Sequence, residues 1–150
     1  MEALTNDTEE VQNAGDRDHL IALGVLLWEV ARADDDFLPQ EKEQIIEILT
    51  TYNQLPQEDL PIVLQAIETA SNEKIEIFTF TKTVGNSLSR EHKMETVEQL
   101  FRVGCADQEL DEKEVETIRM ISQLFGLDHT EFINAKIKVK KEFGMDTAGL

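Results

Sequence analysis

The sequence predicts an all-α fold, one multihelical domain in which a unit of helix, acidic turn and helix occurs twice. Three observations carry this. Apolar residues recur at three- and four-residue spacing along most of the 150 residues, which lines one face of a helix. Gly and Pro number only 7 and 3, few punctuators for a β-rich or disordered chain. Finally, Ala33-Asp34-Asp35-Asp36-Phe37-Leu38-Pro39-Gln40-Glu41 is echoed seventy-three residues on by Ala106-Asp107-Gln108-Glu109-Leu110-Asp111-Glu112-Lys113-Glu114. At the same offset Leu27 matches Leu100, Trp28 Phe101, Val30 Val103, Glu43 Glu116, Ile45 Ile118 and Ile48 Ile121. The chain reads as an internal duplication, with repeats over about residues 18–70 and 89–143.

Residues 1–15 are polar and acidic, with too little apolar surface to offset ordering entropy, and read as a flexible tail with at most one loose helical turn. From Asp16 the pattern Leu20, Leu23, Gly24, Leu27, Val30, Ala31, widened by Trp28, predicts the first long helix, and the domain runs from there to residue 150. After the acidic turn, Pro39 suits the first helical position, where its missing N–H costs nothing. The second helix is expected to bury Ile45, Ile48, Leu49 and Tyr52.

Pro56 ends that helix, and a third begins at about Gln57 with Leu60, Val63, Leu64 and Ile67 inward. Residues 74–84 are rich in β-branched and aromatic side chains and partly alternate, yet no neighbouring strand offers backbone partners, so a helix is predicted. Ser89 caps the next long helix, whose inward face is Met94, Val97, Leu100, Phe101 and Gly104. Beyond the second acidic turn, Asp111 with Glu114 forms a capping box for a helix burying Val115, Ile118, Ile121, Leu124 and Phe125, stopped by Gly126. Asp128 with Glu131 launches the last helix, which carries Phe132, Ala135, Val139 and Phe143.

Charge narrows the partners. With 31 acidic against 14 basic residues the formal net charge is −17, a field that repels phosphate backbones and anionic lipid and argues against nucleic-acid partners. Lys136, Lys138, Lys140 and Lys141 are the local exception. They suit either the dipole of the last helix or docking to an acidic surface. No apolar run reaches the ~20 residues of a membrane span, and the N-terminus lacks the order of a signal peptide, so a cytoplasmic location without membrane insertion is expected. The single cysteine, Cys105, agrees with a reducing compartment.

The acidic turns hold the chemistry. Asp34 and Asp107 end helices, where a carboxylate faces the negative end of the macrodipole, and their neighbours add repulsion. Either the following helix N-terminus or a bound cation offsets it. Glu41 and Glu114 fit capping roles that need no metal, and charge runs are often merely solvated faces; repetition at one register favours a site. Asp34, Asp36 and Glu41 have the spacing of the back half of an EF-hand loop, but Val30 and Arg32 stand at its first and third ligand positions, so no self-contained EF-hand is expected. If the turns meet, Asp34, Asp36, Glu41, Asp107, Glu109 and Glu114 supply an oxygen-rich site suited to Ca2+ or Mg2+. Catalysis has little support. Acidic neighbours blunt Cys105 as a nucleophile, His19, His92 and His129 lack metal-ligand spacing, and no Gly-rich phosphate loop occurs.

The segments Glu29-Val30-Ala31-Arg32-Ala33-Asp34, Pro39-Gln40-Glu41 and Cys105-Ala106-Asp107 through Glu114 resemble the TerB family of tellurite-resistance proteins, over about residues 18–143. The Gly of the family's Ala-Asp-Gly pattern is Asp35 in the first turn and Gln108 in the second. The resemblance implies an all-helical, non-enzymatic, cation-binding module in tellurite resistance and stress responses, working with partner proteins at the inner face of the membrane. The alternative is a protein-interaction module in which the acidic turns are helix caps and a recognition surface, without metal.

Overall fold

Two long helices carry the core, and both end in an acidic turn. The computed structural model describes the backbone of residues 2–34, 37–73 and 76–147, and side chains from Arg17 onward. The described elements are α1 (Glu2–Ala31), α2 (Pro39–Glu47), a π-helical turn (Ile48–Tyr52), α3 (Leu60–Asn72), α4 (Ile77–Asn86), α5 (Arg90–Gly104), α6 (Glu112–Leu124) and α7 (His129–Glu142). Among the described residues there is no strand, and no helix is long and apolar enough to cross a membrane.

The stripe Leu20, Leu23, Leu26, Leu27, Val30 and Ala31 buries α1 against α2, α3, α5 and α6. In turn α5 buries Val97, Leu100, Phe101 and Val103 and packs on α1, α2, α6 and α7. The Phe101 and Phe132 rings meet at 5.3 Å between centroids, joining α5 to α7. At Gly24, α1 passes so close to α3 that an added Cβ would lie 2.1 Å from Ile67 Cδ1 and 2.6 Å from its Cγ1. Ile67 is fully buried and has little room to swing. Gly24→Ala is therefore expected to cost about 1–3 kcal/mol through overpacking, outweighing the gain in helix propensity of roughly 1 kcal/mol. Urea denaturation reads the balance, and a net gain in stability would show that Ile67 repacks freely.

Several expectations need correction. The helical backbone of α1 reaches back to Glu2, through the acidic stretch predicted to hold at most one loose turn. That stretch contains no proline, and its Glu, Ala and Gln are good helix formers. Tyr52 is 48% exposed rather than buried, because the chain widens to π geometry at Ile48 and turns Tyr52 off the inward face. Its ring instead lies under the Arg102 guanidinium, 4.5 Å from Cζ to the centroid. The third helix starts at Leu60, after a turn in which Asp59 N–H donates to Pro56 O, and Leu60 and Leu64 are only partly buried.

Other expectations hold. The β-rich segment is helical from Ile77, with Glu76 accepting from Phe78 N (3.2 Å) and Thr79 N (2.8 Å) as N-cap; Lys74 and Ile75 lie outside the described residues. Ser89 caps α5, and the Asp111–Glu114 and Asp128–Glu131 capping boxes form at α6 and α7.

Candidate functional site

The two acidic turns meet. Asp34, beyond the end of α1, and Asp107, beyond the end of α5, border one open cleft of about 500 Å3, together with Glu109, Asp111, Glu112 and Glu114. The α1–α5 and α2–α5 packing places the ends of the two helices together. Asp107 Oδ1 accepts from Glu109 N–H at 3.1 Å, a short turn that holds its carboxylate at the rim. Gln108 takes a left-handed backbone, φ 68°, where the TerB pattern has glycine; for a residue with a Cβ this costs roughly 1–2 kcal/mol. The tight turn thus survives without glycine. Asp35 and Asp36 lie outside the described residues, so the expected ligand Asp36 is not placed.

Behind the cleft stands a pair of buried carboxyls. Glu41 and Glu114, at equivalent positions in α2 and α6, are each 3% exposed. Each reaches back to its helix start: Leu38 N–H donates to Glu41 Oε1 at 2.9 Å and Asp111 N–H to Glu114 Oε1 at 3.0 Å. The sequence anticipates this capping. It does not show that the two side chains face each other. Glu41 Oε2 is buried and meets no N–H or O–H donor when both carboxyls are ionised. A protonated Glu114, favoured by its raised pKa, would supply the donor that Glu41 Oε2 lacks. Burial pushes both carboxyls above the ordinary range, with the negative charge of Asp34 adding to the effect in each. For Glu114 the contact with Glu41 raises it further, whereas the Leu38 N–H and the contact with Glu114 partly offset the rise at Glu41.

Of the expected ligands, then, Asp34, Asp107, Glu109 and Glu114 line one cleft, and Glu41 backs it through Glu114. All are oxygen donors, the set preferred by hard divalent cations. Among the described residues, no three His, Cys, Asp or Glu side chains stand in an arrangement that would hold a metal ion. Val30 is fully buried and Arg32 pairs with Glu29, so neither occupies the role its EF-hand position would require. Cys105 is buried, and burial above all, with smaller contributions from Glu114 and Asp107, pushes its thiol up to about 12.

Sequence reasoning missed the Arg102 clamp. This side chain is 8% exposed, and its Nε and a terminal nitrogen donate to Glu142 at 3.0 and 2.9 Å, tying the end of α7 to α5. A partner forty residues away leaves no signal in local spacing.

An all-helical domain with two acidic turns opening on a common carboxylate cleft defines a class of small acidic helical module. The particular family follows from comparison: the chain belongs to the tellurite resistance protein TerB family, whose model matches residues 20–137. No curated protein and no solved structure matches it.

Proposed function

We propose that this TerB-family chain is a non-enzymatic module that takes a divalent cation, Ca2+ or Mg2+, between its paired acidic turns and serves tellurite resistance and stress responses through partner proteins in the cytoplasm. The observation that supports the cation is convergence. Carboxylates from turns seventy-three residues apart share one cleft, and the aspartates sit past helix C-termini, where the dipole disfavours them. Since no three of the described carboxylates are already arranged around an ion, binding would draw Asp34, Asp107, Glu109 and Glu114 together, with Asp36 and Glu41 as the remaining oxygen donors of the turns. A cation there replaces the proton that Glu41 and Glu114 share, so binding strengthens as pH rises. The non-enzymatic reading draws support from the buried thiol of Cys105, whose raised pKa disfavours the thiolate at neutral pH.

A second reading has its own support. Glu41 and Glu114 already accept backbone N–H groups, so caps and a recognition surface account for them without metal. Melting temperature separates the two. Ligand bound to the native state alone adds about 2.7 kcal/mol at a hundredfold excess over Kd, roughly 5–10 °C for a chain of this size. Ca2+ or Mg2+ is expected to raise Tm beyond NaCl at matched ionic strength. Asp34→Asn and Asp107→Asn are each expected to stabilise the metal-free chain slightly and remove most of the divalent effect. Mutants that respond to both ions as the parent does leave the interaction reading.

A further inference from the structure

Basic side chains of α6 and α7 cluster within electrostatic reach of one another. Lys136 and Lys140 lie one turn apart on α7, and Arg119 of α6 stands near enough to act on Lys136 electrostatically. Burial, then the charges of Lys140 and Arg119, pull the Lys136 ammonium below the ordinary lysine range. In a chain with more than twice as many acids as bases, Lys136 and Lys140 nonetheless make no ion pair among the described residues, whereas Lys138 pairs with Glu98 at 3.1 Å. The dipole of α7 accounts for Lys140, in its last turn, but not for Lys136 in its middle or Arg119 on α6.

Arg119 also borders a recess. A hollow of about 50 Å3 opens between Arg119, Ser122 and His129, floored by Phe132, whose ring lies 5.1 Å from Arg119 Cζ. Ser122 is 1% exposed, and its Oγ makes no hydrogen bond. A buried hydroxyl without a partner is uncommon and marks a place where an acceptor or donor is missing. One acid, Asp128, lines the hollow and is engaged, its Oδ1 accepting from Glu131 N–H at 2.8 Å, and Arg119 pairs with Glu116 on its own helix. We propose that the basic cluster of Arg119 on α6 with Lys136 and Lys140 on α7 docks a carboxylate-rich segment of a partner protein, one carboxylate seating in the hollow between Arg119 and Ser122 and its neighbours reaching Lys136 and Lys140. The hollow suits a single side-chain carboxylate, whereas a flat anionic membrane or a nucleic acid meets, over a wide area, the field of a chain whose net charge is −17. The proposal stands independently of the cation reading.

A fluorescein-labelled hexaglutamate peptide, with hexaglutamine as control, tests it by anisotropy. At about 0.15 M salt the Debye length is about 8 Å, so the charges within contact range of the peptide outweigh the distant ones. Saturable binding of hexaglutamate alone is expected. Lys136→Glu with Lys140→Glu should weaken it on the order of tenfold or more, while the charge-matched pair Lys42→Glu with Lys82→Glu, on α2 and α4, should not. Ser122→Ala removes a hydroxyl that bonds nothing, so Tm should hold or rise while affinity falls several-fold, a combination that surface charge alone does not produce. No saturable binding, equal loss in the control pair, or unchanged affinity in Ser122→Ala overturns the proposal.

Discussion

Phe101→Ala is expected to destabilise the chain by about 3–5 kcal/mol, the loss typical of a fully buried aromatic ring replaced by a methyl group. Phe101 has no solvent exposure and packs on Phe132 across the contact between α5 and α7. Its removal strips apolar contact from both helices and leaves a cavity that a four-sided core cannot collapse to fill. At 2–4 °C per kcal/mol for chains of this size, Tm should fall by roughly 10 °C. Trp28, seventy-three residues before Phe101, is only partly buried and packs at a tilt on Phe37 with centroids 4.6 Å apart. Trp28→Ala should therefore cost less, on the order of 2 kcal/mol, because part of that ring is already in water. Urea denaturation of the two variants gives the comparison. An equal or larger loss at Trp28 would mean that α5 is not the centre of the core.

The contrast between those two positions shows how far sequence carries. Periodicity was enough to place Leu27, Val30, Leu100 and Ile118 inward, because a helical stripe has only one face that can meet the rest of the chain. It also sufficed for the β-rich segment: Glu76 supplies an N-cap and nothing supplies a strand. Tyr52 failed because a π turn shifts the phase of the helix, and phase is all that a periodicity argument uses. At the acidic turns, the matched register aligned Asp34 with Asp107 in sequence but did not make them neighbours. Their meeting depends on how α1 and α5 pack, which is decided by side chains far from either turn. The contact between Glu41 and Glu114 was less visible still. A glutamate three residues after an N-cap looks the same in sequence whether its second oxygen faces water or another carboxyl.

That hidden contact makes the second large prediction. Glu114→Gln is expected to raise stability at pH 8 by roughly 1–3 kcal/mol and to flatten its dependence on pH. With both carboxyls raised, the folded parent should hold a proton on the Glu41–Glu114 pair that the unfolded chain releases near the ordinary carboxylate value of about 4.3. Folding therefore takes up a proton between that value and the folded one, about 9 for Glu114. Stability contributed by the pair is fully present below the unfolded value and is lost as pH rises through the folded one, with a slope approaching about 1.4 kcal/mol per pH unit while one proton is held. Glutamine mimics the protonated partner at every pH. Its amide oxygen can keep the Asp111 N–H bond, 3.0 Å long in the parent, and its amide N–H can donate to the otherwise unmatched Glu41 Oε2. Urea denaturation from about pH 5 to 9, in buffer stripped of divalent ions, compares the two slopes, since the other carboxylates add the same background to both. Parallel slopes in parent and variant would show that Glu41 and Glu114 do not share a proton and that the buried oxygen of Glu41 is satisfied in another way.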